Sequence, residues 1–308
     1  MKYVITILLI LISYFLSYGQ QMPHYSQYMH NGFVLNPAIA GTDNCIQIGL
    51  DVRKQWLGFA DSPFTQSFFI HSALGKKSGL GLIIFNDVAG AESMLGSELA
   101  YSYMVKKTKN ESLSLGISVK VMQYVFNESS FVTNIPDDPG LTYGLVSAIQ
   151  PDVAFGAYYK NKTMNYGIGI QQLLSSTLYK TSISFLERHY FLTAGYVIAQ
   201  NRQVTLEPSI LLKGMENTTI SFDLNLKVIF QNKFILGASY RNHDGIILLL
   251  GINTGKLLIA YNYDLITSRL FKYNKGSHEI FLGYKICRNK SKKDSFGKRG
   301  VHCPAYNL

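Results

Sequence analysis

Apolar residues occupy every second position over most of this chain, in consecutive segments of about ten residues between Ile46 and Cys287. In one such segment the apolar positions are Ile220, Phe222, Leu224, Leu226 and Val228, and polar or charged residues lie between them. Because successive side chains of a β-strand point to opposite faces, each segment has one apolar face and one polar face. The pattern predicts an all-β protein.

Fourteen segments follow this pattern, and an even number of alternating strands is typical of barrels in bacterial outer membranes. We therefore predict a transmembrane antiparallel up-and-down β-barrel of about 14 strands. A soluble secreted β-protein is the weaker alternative. The predicted strands are 46–55, 65–74, 79–87, 95–106, 112–126, 152–160, 165–173, 189–200, 204–213, 218–230, 233–241, 245–253, 256–263 and 278–287.

The connections between these strands alternate in length. Those after even-numbered strands are short and polar, whereas those after odd-numbered strands are generally longer, notably Asn127 to Pro151 and Leu174 to Arg188. Bacterial barrels have short periplasmic turns and long outer loops. We therefore expect the long connections on the cell surface and both chain ends in the periplasm.

Three parts of the chain lie outside the predicted barrel, which spans residues 45–287. Residues 1–19 have the charged start (Lys2), apolar run and small final residue (Gly19) of a signal peptide. Residues 20–44 do not alternate, and we predict that they form a plug or rim structure whose polar groups pair with the lumen; a loose periplasmic leader is the alternative. Residues 288–308 form a basic tail.

Composition agrees with an exported membrane protein. Only 16% of the residues are charged, against roughly 25% in typical soluble domains. The net charge is +10, and much of the excess lies in the tail. Because the chain is predicted to be exported, we expect the tail to meet anionic lipid, cell wall or an acidic protein, and we expect no nucleic-acid partner.

Two local features leave alternatives open. The three cysteines lack the spacing of a zinc or redox site, and an exported protein permits a disulfide. Cys45 with Cys287, Cys287 with Cys303, and Cys45 with Cys303 are all allowed pairings. Pro208 lies inside the ninth predicted strand and removes a ladder hydrogen bond, which indicates either a bulge or a local error in the predicted register.

The segment before the barrel carries a dense motif, which continues at the end of the first strand. Its residues are Pro23, Tyr25, Ser26, Gln27, Tyr28, Met29, Asn31, Asn36, Pro37, Ala38, Ala40 and Gly41, then Arg53, Gln55, Trp56 and Gly58. The tail adds Cys303 and Pro304. In these residues the chain resembles the PorP/SprF family of outer-membrane proteins, which belongs to type IX secretion and gliding systems of Bacteroidota.

The resemblance implies an outer-membrane component of type IX secretion that supports export or cell-surface anchoring of secreted proteins, such as adhesins. The implied partners are cargo with a C-terminal sorting domain, other components of the secretion system and outer-membrane lipid. The long outer loops would then contact the cargo. The candidate contact residues are Pro136, Asp137, Asp138, Tyr143 and Tyr179.

Catalytic motifs are not found in the sequence. The seven histidines contain no HExxH pair, and the chain has neither a GxSxG elbow nor a phosphate-binding loop. We therefore expect no enzyme activity, no metal and no cofactor. The alternative function is an outer-membrane channel or transporter for small solutes, since fourteen strands can enclose a lumen.

Overall fold

The computed structural model describes residues 25–43, 45–127, 144–175, 186–199, 203–216, 220–242, 244–267 and 274–287. Three short 3-10 helices, Gln27–Met29, Gly32–Val34 and Pro37–Ile39, precede one closed antiparallel sheet. The strands are β1 (Cys45–Lys54), β2 (Phe64–Leu74), β3 (Ser78–Ala89), β4 (Glu92–Lys107), β5 (Glu111–Asn127), β6 (Leu145–Asn161), β7 (Met164–Gln171), β8 (His189–Tyr196), β9 (Ile198–Ala199), β10 (Val204–Met215), β11 (Ser221–Phe230), β12 (Phe234–Arg241), β13 (Gly245–Asn253), β14 (Leu257–Ile266) and β15 (Ser277–Cys287).

The fifteen segments make a barrel of fourteen strands, because β8 and β9 are two parts of one strand separated by Val197. The predicted β-barrel is thus confirmed. None of the helices in the described ranges has the length and apolar character needed to cross a membrane. The predicted signal peptide, Pro23 and the basic tail lie outside the described residues.

The barrel closes where its first and last strands meet. β1 pairs antiparallel with β15, from Cys45 opposite Cys287 to Lys54 opposite His278. A disulfide joins Cys45 to Cys287 at the beginning of this seam, so the structure has the first of the three pairings that the sequence allowed. The short connections 75–77, 108–110, 162–163, 231–233 and 254–256 lie at the same end as these cysteines.

The alternation along the strands divides the barrel into an outer and an inner surface. In β5, Ile117 and Val119 are exposed on the outer surface, whereas Ser118 and Lys120 are buried in the lumen. The same pattern recurs around the sheet and leaves an apolar outer belt, which is the surface that a bilayer contacts. The lumen holds the charged residues, and these face the segment that precedes β1.

One connection was predicted wrongly. Residues 145–151 were placed in the longest loop, but β6 begins at Leu145 and pairs with β5 along its whole length. Pro151 therefore lies within a strand. β6 pairs with β7 only from Phe155 onward, so its first part is an edge, where a proline is tolerated because no neighbouring strand needs its N–H.

Pro208 causes neither a bulge nor a shift of register. Its strand β10 pairs with β11 without interruption, with Pro208 opposite Leu226. On the other side the ladder ends at Gly195 opposite Ser209 and resumes at Ile198 opposite Leu206, in the same register. The proline therefore coincides with a gap in the pairing between β8–β9 and β10.

Candidate functional site

Residues 25–43 fold inside the barrel, and we call this segment the plug. Its third 3-10 helix begins at Pro37, a residue that suits the first turn because its missing N–H is not needed there. The side chain of Asn36 caps this helix by accepting a hydrogen bond from the Ala38 N–H at 2.9 Å. Gly41 then takes a left-handed conformation (φ 62°) as the chain turns towards β1.

An apolar cluster holds the middle of the plug. Phe33 is 1% exposed and packs in one cluster with Phe69, Phe281 and Leu249, which face inward from three different strands. The inward position of Leu249 explains why β13 is apolar on both faces. The lumen is therefore partly a hydrophobic core that the plug completes, rather than a fully polar channel.

Hydrogen bonds join the second half of the plug to one half of the barrel wall. Five strands take part, and most of these bonds use the plug backbone. They are Ser114 Oγ to the Ala38 carbonyl (2.7 Å), Gln171 Nε2 to the Val34 carbonyl (2.9 Å), Asn36 Nδ2 to the Ala157 carbonyl (2.9 Å), the Gly41 N–H to His71 Nδ1 (3.2 Å), and Ser102 Oγ to the Ala40 carbonyl.

Glycines in the wall make room for this half of the plug. A Cβ on Gly116 would overlap the backbone of Pro37 and Ala38, and one on Gly79 would overlap the Ala40 carbonyl. In both cases the obstacle is backbone, which cannot move aside as a flexible side chain can. The plug backbone therefore lies directly against the wall, and a larger residue at either glycine would exclude it.

The first half of the plug is bound by buried charges. The Ser26 N–H donates to Glu279 (2.8 Å to Oε2), and the Gln27 N–H donates to Glu279 Oε1 at 3.1 Å. The Ser26 hydroxyl donates to Asp264 Oδ2 at 2.9 Å and accepts from Arg53 Nη1 at 2.9 Å. Ser26, Arg53 and Glu279 are each at most 1% exposed.

Ion pairs connect these groups around the lumen. Arg53 pairs with Asp264 at 2.6 Å and with Glu279 at 2.8 Å. Arg241 lies 3.2 Å from Asp223 and 3.7 Å from Asp264, and so links two carboxylates on different strands. Buried ions are tolerated only when they are paired and hydrogen-bonded. The network therefore depends on all of its members.

Tyr28 attaches the plug to a further part of this network. Its hydroxyl lies 3.0 Å from Asp223 Oδ2 and 2.9 Å from Asn225 Oδ1. Burial, together with the neighbouring Asp223, holds the pKa of Tyr28 well above its ordinary value, so the phenol stays protonated and donates. The pKa of Tyr25 is also raised, first by burial and second by the charge of Asp51.

His30, like Gln27, is a buried polar residue of the plug whose side chain has no hydrogen-bond partner among the described residues. It is fully buried beside Phe281, and neither of its ring nitrogens has a hydrogen-bond partner among the described residues. Burial, and to a smaller extent the charge of Lys227, holds its pKa well below the ordinary value of 6.5. His30 is therefore neutral in the docked plug.

Most of the predicted motif residues lie in or against the plug. Ser26, Gln27, Tyr28, Asn31, Asn36, Pro37 and Gly41 are buried, Tyr25 is half-buried, and Arg53 reaches Ser26 from β1. Gln55, Trp56 and Gly58 instead begin the β1–β2 loop, where the Trp56 N–H donates to Ser277 Oγ at 3.1 Å. Pro23 and the loop residues Pro136, Asp137, Asp138, Tyr143 and Tyr179 lie outside the described residues.

Sequence reasoning missed several residues of the site. Arg241 and Asp264 were not singled out, although each lies at an inward position of an alternating strand. Their inward positions in the alternation, together with their charge, could have identified them from the sequence. No group of three or more His, Cys, Asp or Glu side chains in the described ranges is arranged to hold a metal ion.

These features define a class: a membrane-spanning β-barrel whose lumen is occupied by its own N-terminal segment. A family model described as "Type IX secretion system membrane protein PorP/SprF" matches residues 17–284. The chain therefore belongs to the PorP/SprF family, as the motif predicted, and it is a membrane component of type IX secretion located in the outer membrane. No curated protein matches the sequence.

Solved barrels resemble the fold at low sequence identity. The TodX deltaS2S3 mutant monoaromatic hydrocarbon channel is 11% identical, with 83% of this chain and 94% of that chain covered and a TM-score of 0.51. The Pseudomonas putida toluene transporter TodX is 10% identical, with 86% and 94% covered and a TM-score of 0.49. At this identity the likeness concerns the fold alone.

Proposed function

We propose that this protein is a non-enzymatic outer-membrane platform that supports export or surface anchoring of secreted proteins with a C-terminal sorting domain. Family membership supplies the link to secretion. The plug is the observation that favours a platform over a solute channel, because its bonds reach strands on all sides of the lumen.

The cargo-facing surface would lie at the end of the barrel opposite Cys45 and Cys287. β5 and β6 have 17 residues each, whereas about 9–11 residues suffice to cross a bilayer. Because β6 leaves β7 at Phe155, its first part forms with β5 and β4 a ribbon that continues past the end of β7, with β6 as its free edge. Leu145 and Ile149 on this ribbon are 71% and 67% exposed.

Exposed apolar side chains outside the membrane favour a protein partner. The ribbon also carries the connection that contains four of the five candidate contact residues, Pro136, Asp137, Asp138 and Tyr143. Tyr179 would approach from the connection between β7 and β8. The periplasmic ends, including the basic tail, would be available to other secretion components or the cell wall.

The test is the partition of secreted proteins between cells and medium. Replacing Leu145 and Ile149 by serine, or deleting 137–143, should release cargo into the medium. Ile220→Ser is the matched control, because Ile220 is also 67% exposed and immediately precedes β11, after a different connection at the same end. Unchanged surface retention in both ribbon variants would refute the contact.

The channel alternative is tested separately. Purified wild-type protein in a planar bilayer should show no large steady conductance if the plug occupies the lumen. A large conductance in the wild type would favour a channel for small solutes instead.

A further inference from the structure

The pairing between β8–β9 and β10 is interrupted opposite Pro208. The Val197 N–H donates to the Thr163 carbonyl at 2.7 Å, so this residue remains bonded to the β7 side. On the β10 side, Tyr196 and Val197 have no ladder partners, although Pro208 and Glu207 lie opposite them in register. Proline has no N–H to offer across this gap.

Two cavities meet at the gap. An inner cavity of about 110 Å³ lies in the lumen, and an outer groove of about 670 Å³ lies on the lipid-facing surface. Both are lined by inward-facing residues such as Gly195 and Ser209 and by outward-facing ones such as Tyr196 and Pro208. The cavity and the groove share these lining residues and therefore lie on the two sides of the gap, and we call the gap together with its cavity and groove the opening.

The two ends of this opening differ in chemistry. The outer groove is bordered by Leu224, Leu226 and Ile246, which belong to the apolar belt. The inner cavity contains the ion pair between Lys227 Nζ and Glu207 Oε2, at 2.7 Å. Glu207 is 7% exposed, and its other oxygen, Oε1, has no hydrogen-bond partner among the described residues.

The plug closes the inner end. Tyr28, Met29 and Leu35 line the inner cavity, so a molecule that enters from the membrane reaches the plug and stops. The opening is therefore suited to binding rather than to passage through the barrel.

We propose that this opening binds an amphipathic molecule from the bilayer, with one hydrocarbon chain in the outer groove and a small uncharged hydrogen-bond donor at Glu207. The groove faces the hydrocarbon layer, and its volume lies within the roughly 300–1,000 Å³ of small-molecule sites. A donor there would satisfy Glu207 Oε1, since a buried carboxylate oxygen without a partner is costly. The donor group of the bound molecule is uncharged, because Lys227 already balances the negative charge of Glu207.

The probe is a sixteen-carbon alcohol with a photoreactive diazirine in its chain, used with the full protein in vesicles. Crosslinks should concentrate at Tyr196, Pro208 and Ile210. The corresponding methyl ether has no donor and should label about tenfold less, the factor expected for one hydrogen bond to a charged group. Uniform labelling of the outer belt, or equal labelling by alcohol and ether, would overturn the proposal.

Two variants distinguish the contribution of the probe's hydrocarbon chain from that of its hydrogen-bond donor. Ala238→Trp fills the outer groove and should abolish the labelling, whereas Ser97→Trp, on the outer face of β4 away from the groove, should not. Replacing both Glu207 and Lys227 by methionine removes the acceptor and its counterion together, and should erase the preference for the alcohol. Labelling that survives Ala238→Trp in folded protein argues against the site. If that variant does not fold, the wild-type crosslink map and the ether comparison still decide.

Discussion

Replacing Arg53 by methionine tests whether buried charges hold the plug and the seam of the barrel together. The substitution keeps most of the volume of the side chain but removes its bonds to Asp264 (2.6 Å), Glu279 (2.8 Å) and the Ser26 hydroxyl (2.9 Å). Glu279 has 0% exposure, and so a buried carboxylate loses its counterion. Breaking such a pair costs about 3–5 kcal/mol.

The matched control is Arg188→Met. Arg188 pairs with Glu216 at the same distance, 2.6 Å, but these two side chains are 38% and 40% exposed. An exposed pair contributes about 0–1 kcal/mol because water and salt screen it. The Arg53–Asp264 and Arg188–Glu216 distances are equal, so the difference between the variants measures the effect of burial together with the second carboxylate that Arg53 holds.

Urea unfolding in lipid vesicles, followed by heat-modifiable gel migration, gives the free energies. Arg53→Met should lose at least about 2 kcal/mol more than Arg188→Met. Adding Glu279→Gln to Arg53→Met should recover part of the loss, since the unpaired carboxylate is then gone. Equal losses in the two single variants, or no recovery in the double variant, would refute the reasoning.

Three further predictions concern the plug and the seam. Gly116→Val should displace the plug and give the variant barrel a measurable conductance, whereas Gly214→Ala should not, because the nearest atom to an added Cβ there is 3.8 Å away. Docking of the plug should weaken as the pH falls below 6.5, by up to about 1.4 kcal/mol per pH unit, because the undocked His30 binds a proton that the docked residue cannot. Conductance or protease sensitivity between pH 8 and pH 5 measures this effect. His30→Phe should flatten the pH dependence. Cys45→Ser should lower the free energy of unfolding by about 2–5 kcal/mol, whereas Cys303→Ser should leave it unchanged; a Cys45–Cys287 peptide in a non-reducing digest checks the pairing.

The barrel could be predicted because a single periodicity, the alternation of apolar and polar residues, recurs along its strands. Alternation fixes which side chains face lipid, and the lengths of the connections then distinguish the two ends. Both kinds of information are local in the sequence. The start of β6 was missed because Pro151 was read as a loop residue; the unpaired edge that permits a proline there depends on where β7 ends, which the β6 sequence does not contain.

The interior of the site depends on pairings between distant residues. Ser26 meets Glu279 across 253 positions of sequence, and Tyr28 meets Asp223 across 195. The alternation placed Glu279 and Asp223 in the lumen but could not tell which groups face each other, because that depends on how the strands are staggered around the closed sheet. The role of the wall glycines that contact the plug was not predicted either, because a glycine adds neither an apolar nor a polar side chain to the alternation.

The two halves of the plug are held by different kinds of contact, so different changes would release each half. The half around Asn36 depends on close contact with backbone at wall glycines such as Gly116, so it responds to shape. The half around Ser26 depends on carboxylates and guanidinium groups, so it responds to the removal of a charge. The uncharged His30 lies between them. Removal of a buried charge would therefore loosen the half around Ser26 first, while the glycine-lined half keeps the segment inside the barrel, and full displacement would require both sets of contacts to fail.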